Sequence, residues 1–207
     1  MKGLLYKDFC MAKKYCRSYL LIIIVFLFVS IFNPDNKFFV FYPCLIVGML
    51  PTNLLSYDER SKWVDYSKCL PYSEFDIVSS KYLIGLISMV IVVSVNIICQ
   101  VIINNVNNII LFSAAMVFIS LLISSLPLTF MFRYGVEKGR ISYYIMLGFF
   151  TAFSFLLTSV IETYDPGYVS GIKINLYVLS TVMIIIAVGL YILMWRLSII
   201  FYKKNKQ

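Results

Sequence analysis

The sequence predicts an all-α polytopic membrane protein. It has six transmembrane helices, both termini in the cytoplasm, an N-terminal amphipathic interfacial helix, and a cytoplasmic helix between spans 2 and 3. Three observations carry this expectation. The 207 residues are 61% hydrophobic and 14% charged, whereas soluble domains carry about 25% charged residues. Several apolar runs approach or exceed the roughly 18–20 residues that a helix needs to cross a bilayer. They are continuous, not alternating as in the ten-residue or so strands of a β-barrel. Finally, Lys and Arg are segregated along the chain in a way that orients the spans.

The elements follow in order. Residues 2–17, KGLLYKDFCMAKKYCR, read as a surface helix with Leu5, Phe9, Ala12, Cys16 and Tyr19 on one face at helical spacing. A basic amphipathic helix of this kind lies in the headgroup plane of a membrane. No A-x-A-like cleavage site follows, so a cleavable signal peptide is not expected. Span 1 covers about residues 19–32, and the turn NPDNK leads to span 2 at about residues 38–55, with Pro43 near its start and Pro51 inside. Span 3 covers about residues 77–103, span 4 residues 109–132, span 5 residues 141–161 and span 6 residues 174–202. Polar loops separate them: NNVNN, RYGVEKGR at 133–140, and ETYDPGYVSGIK.

With six spans both ends face one side. That side collects five Lys/Arg from the N-terminal segment, four from residues 57–83, three from the 133–140 loop and four from the C-terminal end with Arg196, 16 of 18 in all. Lys37 and Lys173 fall on the other side. The positive-inside rule makes the basic side cytoplasmic, and the expected location is the plasma membrane. The net charge of +8 then reports topology and contact with anionic lipid. Nucleic acid is not an expected partner, because no soluble domain presents a basic groove. Cys10, Cys16, Cys44, Cys69 and Cys99 are odd in number and irregular in spacing, and are expected as free thiols used as small hydrophobes.

The densest polar stretch is YDERSKWVDYSKCLPYSEFDIVSSKYL, residues 57–83, with nine of the 28 charged side chains. Its first part, about residues 58–70, predicts a short helix with Trp63, Tyr66 and Leu70 on one face. Asp58 and Glu59 stand at its N-terminal end, where the helix dipole favours acids, within reach of Lys62. Pro71 ends it. Ser73 and Asp76 then fit a capping box that starts span 3. Two readings of the short helix compete. Its aromatics can sit in lipid headgroups, or they can form a docking knob for a cytoplasmic partner, since a Trp beside Tyr, Leu and mixed charge has the composition of an interface hot spot.

Chemistry is excluded on several counts. The chain has no His, which removes His-based zinc sites and His general bases. No Gly-x-x-x-x-Gly-Lys-Ser/Thr sequence occurs, so ATP binding by a P-loop is not expected and the chain reads as a non-enzyme. No metal-ligand cluster or dinucleotide motif is evident. Central charges are not expected within the spans, and an ion-coupled pump keeps such carboxylates; any transport is therefore powered from outside the chain. Neutral polar residues remain in the spans: Asn53, Asn96, Gln100, Ser124, Thr151 and Ser154 are candidates for a substrate path, with helix–helix hydrogen bonding as the competing reading.

Three stretches, MKGLLYKDF, residues 57–83, and LPLTFMFRYGVEKGR at 126–140, together resemble the ABC-2 type permease family of Gram-positive bacteria, and within it the permeases of phenol-soluble modulin exporters in staphylococci. The resemblance covers nearly the whole chain. It implies a single transmembrane domain over residues 1–207, comprising the interfacial helix at 1–18, a coupling-helix region at 57–72 and a second cytoplasmic loop at 133–140. It further implies the membrane half of an ATP-driven exporter of amphipathic or hydrophobic peptides, toxins or antimicrobial peptides among them. Such a permease dimerises with itself or with a sister permease and recruits two cytoplasmic ATPase subunits, which bind ATP and Mg; this chain binds no cofactor. Carried over by position, Asp58, Glu59, Arg60, Lys62, Trp63, Tyr66 and Leu70 match the family's coupling helix, and Arg133, Glu137, Lys138 and Arg140 its second cytoplasmic contact. The alternative is a non-transporting membrane scaffold, sensor or bacteriocin-immunity protein that binds a cytoplasmic regulator through the same helix.

Overall fold

The computed structural model describes residues 2–15, 17–32, 37–67, 69–102, 109–163 and 176–205. These residues form eight helices: α1 (Lys2–Tyr15), α2 (Arg17–Phe32), α3 (Lys37–Arg60), α4 (Trp63–Ser67), α5 (Glu74–Ile102), α6 (Ile109–Tyr134), α7 (Val136–Thr163) and α8 (Leu176–Asn205). Each expected span falls, in order, on one of α2, α3, α5, α6, α7 and α8. Three carry apolar stretches long enough to cross a membrane: Glu74–Cys99 of α5, Ser113–Tyr134 of α6 and Ser180–Lys204 of α8. Helical geometry suits that role, because hydrocarbon offers backbone N–H and C=O groups no partner and the helix pairs them internally.

α6 is the axis of the bundle. It packs against α3, α5, α7 and α8, and 61% of its apolar stretch is buried, against 33% for α5 and 17% for α8. Its composition explains the position. Ala114, Ser120, Ser124, Ser125 and Thr129 are small and buried, and small residues let helix backbones approach closely without a hydrophobic driving force. The serine hydroxyls are satisfied locally: Ser120 donates to Val117 O at 3.1 Å and Ser124 to Leu121 O at 3.1 Å. On α3, Gly48 faces Ile123 of α6 so closely that a Cβ there would meet Ile123 Cγ2 at 2.6 Å. The remaining core consists of apolar side chains such as Leu54, Val78, Met116 and Leu128.

α6 and α7 are joined by one residue, Gly135, at φ 89°. A side chain would strain that left-handed backbone. One turn on, Gly139 lies against Met131, whose Cα would stand 2.8 Å from an added Cβ. The Gly-x-x-x-Gly spacing therefore serves a tight helical hairpin. Gly139→Ala should cost about 1–3 kcal/mol through overpacking against backbone, read as a lowered thermal unfolding midpoint in detergent; an unchanged midpoint would show that α7 is not held against α6.

The contacts gather the polar helix ends at one end of the bundle. Arg140, at the start of α7, donates from Nε to Ser56 Oγ near the end of α3 at 3.0 Å. Arg133, at the end of α6, stands 4.9 Å from the ring of Phe201 at the end of α8. Lys81, near the start of α5, meets Asp58 of α3. The segments that the sequence assigns to one side by charge are therefore neighbours in space.

Two local expectations are corrected. The expected helix over 58–70 is divided: α3 continues through Arg60, Lys62 turns the chain at φ 54°, and α4 is only five residues long. Asp58 and Glu59 thus end α3 and do not begin the short helix. On α1, Leu4 and Asp8 are the buried residues and Phe9 is 65% exposed. The face that docks is set by a charge and not by the expected Leu5/Phe9 stripe. By contrast, the capping box forms as expected: Ser73 N donates to Asp76 Oδ2 at 3.2 Å and Asp76 N to Ser73 Oγ at 3.2 Å. Cys10, Cys44, Cys69 and Cys99 are free thiols.

Candidate functional site

The polar end of the bundle holds a cluster of four charged side chains. Lys81 Nζ lies 2.7 Å from Asp8 Oδ1 and 2.5 Å from Asp58 Oδ2. Lys7 Nζ lies 2.7 Å from Asp58 Oδ1 and 3.2 Å from Asp8 Oδ1. Two carboxylates and two ammonium groups make a neutral set. Lys81, Asp8 and Asp58 are 1%, 0% and 2% exposed. Charges so far from water persist only when paired and hydrogen-bonded. The cluster ties α1 to the end of α3 and the start of α5.

Sequence reasoning missed this cluster. The charge pattern counts Lys81 among the cytoplasmic charges and gives it no partner, whereas it is sealed near the start of α5 against two carboxylates. It also paired Asp58 with Lys62, which is in fact exposed. One signal was available: Asp8 is the sole acid in the first 34 residues, and it stands within a segment otherwise read as basic.

Above the cluster lies the short helix. Lys7 Nζ stands 4.2 Å from the centre of the Trp63 ring, a cation–π arrangement. Trp63 is half-buried, and its ring lies 5.4 Å from that of Tyr66, which is 59% exposed. Glu59, Arg60 and Lys62 are exposed and Leu70 is half-buried. Backbone bonds from Cys69 N to Tyr66 O and from Leu70 N to Ser67 O turn the chain toward Pro71. The segment is therefore an aromatic pair with charges around it, standing over a buried ionic base.

The second predicted contact lies alongside. Arg133, Glu137 and Lys138 are exposed, while Arg140 is half-buried on Ser56, two residues before Asp58. Arg133 is also 4.9 Å from the Tyr134 ring. The two predicted cytoplasmic surfaces thus share one end of the molecule.

Immediately after Lys81, Tyr82 forms a second junction. Its hydroxyl is 2.6 Å from Ser198 Oγ, 3.0 Å from Thr129 Oγ1 and 3.2 Å from Met194 O, so it joins α5 to α6 and α8. Tyr191 donates to Tyr82 O at 2.7 Å, and Trp195 Nε1 to Ser79 Oγ at 3.1 Å. Tyr82→Phe removes one hydroxyl but leaves Ser198 and Thr129 bonded to each other at 3.1 Å. The loss should be only about 1 kcal/mol, read by thermal unfolding. A loss several times larger would mean that the tyrosine hydroxyl alone organises the junction.

Of the candidate path residues, the side chains of Asn53, Asn96 and Ser124 are described. Asn53 is half-buried on α3, and its Nδ2 has no hydrogen-bond partner among the described residues. Asn96 of α5 is 1% exposed and directs Nδ2 to Cys44 Sγ at 3.8 Å. Ser124 bonds within its own helix. The side chains of Gln100, Thr151 and Ser154 lie outside the described residues.

Comparison with known proteins bears on this arrangement. The family model described as ABC-2 family transporter protein matches residues 3–203. No curated protein and no solved structure matches the chain.

Proposed function

The chain belongs to the ABC-2 family of transporter membrane proteins, and from that premise we propose that it is the permease subunit of an ATP-driven exporter. Membership implies partnership with ABC ATPase subunits. The proposal assigns the chain six membrane spans with both termini in the cytoplasm. It pairs with a second copy or a sister permease and works with two ATPase subunits, which hold ATP and Mg. The cargo is an amphipathic or hydrophobic peptide of a Gram-positive bacterium, in keeping with the resemblance to modulin-exporting permeases.

One observation carries the reading: the Trp63–Tyr66 pair stands on Lys7, within the ion cluster that joins α1, α3 and α5. A partner that pushes on that pair bears on α1, α3 and α5 through the cluster. The half-buried Trp with an exposed Tyr and surrounding charges has the make-up of an interface hot spot. The test is affinity capture of the tagged chain from gently solubilised native membranes, wild type beside Trp63→Ala, with co-purifying proteins identified by mass spectrometry. Capture of a P-loop ATPase with wild type and its loss in the variant is the expected result. A folded wild-type chain that captures no ATPase would overturn the reading in favour of a non-transporting scaffold or immunity protein.

A further inference from the structure

We infer that Lys7 is a positioning residue for the docking surface, and that α1 is thereby a working part of that surface. The inference rests on the proposed function and extends it to a helix outside the 57–72 segment. The geometry is specific to one side chain. Lys7 is 21% exposed, whereas Asp8 and Lys81 are sealed, so it is the member of the cluster that reaches solvent. Its ammonium bonds Asp58 at 2.7 Å and covers the Trp63 ring at 4.2 Å. The one group therefore connects the half-buried Trp63 and its exposed neighbour Tyr66 to the buried base.

That connection answers a mechanical problem. α4 has five residues, too few for a helix to hold itself. The chain before it turns through a left-handed Lys62, a strained conformation that the surroundings must maintain. An isolated Trp on such a segment would sample many orientations, and ordering it on binding costs affinity. Lys7 supplies the order beforehand. Its own position is set by its neighbour Asp8, which Lys81 anchors in the core at 2.7 Å. The ordering chain thus runs Lys81, Asp8, α1, Lys7, Trp63.

The chain has two tryptophans, which makes the contact directly readable. In a Trp195→Phe background, Trp63 is the sole indole. The experiment measures its emission and acrylamide quenching in detergent, together with the affinity for the captured ATPase, for Lys7, Lys7→Gln and Lys7→Arg. The expected result for Lys7→Gln is a shifted, more readily quenched Trp63 and ATPase binding weakened about three- to tenfold. Lys7→Arg, which keeps charge and ring contact, should restore both. Unchanged Trp63 fluorescence in Lys7→Gln overturns the inference whatever the ATPase does. Altered fluorescence with unaltered ATPase affinity also overturns it, since the contact would then have no part in docking. If wild type binds no ATPase, the proposed function itself falls and this role of Lys7 with it, a failure that the binding arm alone reports.

Discussion

Replacing Lys81 with Met should destabilise the folded chain by about 3–5 kcal/mol, the cost of leaving a buried charge without its partner. Lys81 is 1% exposed and is shared by two carboxylates that are themselves buried. Without it Asp8 and Asp58 face Lys7 alone, and the set carries an uncompensated negative charge. The sign of a second variant separates charge balance from packing. In Lys81→Met with Asp8→Leu, the Lys7–Asp58 pair remains neutral, and apolar replacements of a buried pair are often close to neutral in energy. Thermal unfolding in detergent should therefore show a large drop for the single variant and recovery of most of it in the double. A single variant that loses less than about 1 kcal/mol, the level of a solvated pair, would mean that water reaches the cluster.

Trp63→Ala should abolish productive docking while leaving the chain inserted and folded. Truncating a hot-spot tryptophan costs about 2–4 kcal/mol of binding, which is roughly 30-fold or more in affinity. Trp63 lies on a five-residue helix and is half-buried, so little of the bundle core depends on it. In vesicles reconstituted with the partner ATPase, export of the proposed peptide cargo should fall steeply while ATP hydrolysis continues without transport. Export at the wild-type rate would remove Trp63 from the docking surface. Loss of folded protein would instead show that the ring is part of the fold, and an unchanged thermal midpoint is the control.

These two residues also mark what the sequence could and could not reveal. The helices were legible because hydrocarbon imposes one backbone solution on long apolar runs. The Ser73/Asp76 box was legible because its bonds close within three residues. Trp63 stood out by composition alone. Lys81 did not, because its partner Asp8 is 73 residues away, and a lysine near a span end is by default a topology marker. The short helix was misjudged for a related reason: nothing local stops α3 at Leu55, and carrying the helix to Arg60 places Asp58 against Lys81. The tertiary ion pair decides the register, and the dipole argument for Asp58 and Glu59 loses to it. The path candidates rest on residue type alone; the hydroxyl of Ser124 bonds within its own helix, and the side chains of Gln100, Thr151 and Ser154 lie outside the described residues.

The uneven fastening of α6 has a mechanical consequence. Near the polar end, Ser125 O and Thr129 hold it to Tyr82 and to α8. Further along, Ser120 and Ser124 turn their hydroxyls inward, and at Gly48 and Ile123 the neighbouring helix meets it through apolar surface. A rod pinned in this way behaves as a lever with its fulcrum at the Tyr82 level. A small displacement imposed beside Lys81 is magnified beyond that level, where α3 meets α6 at Gly48 and Ile123 through apolar surface that can slide.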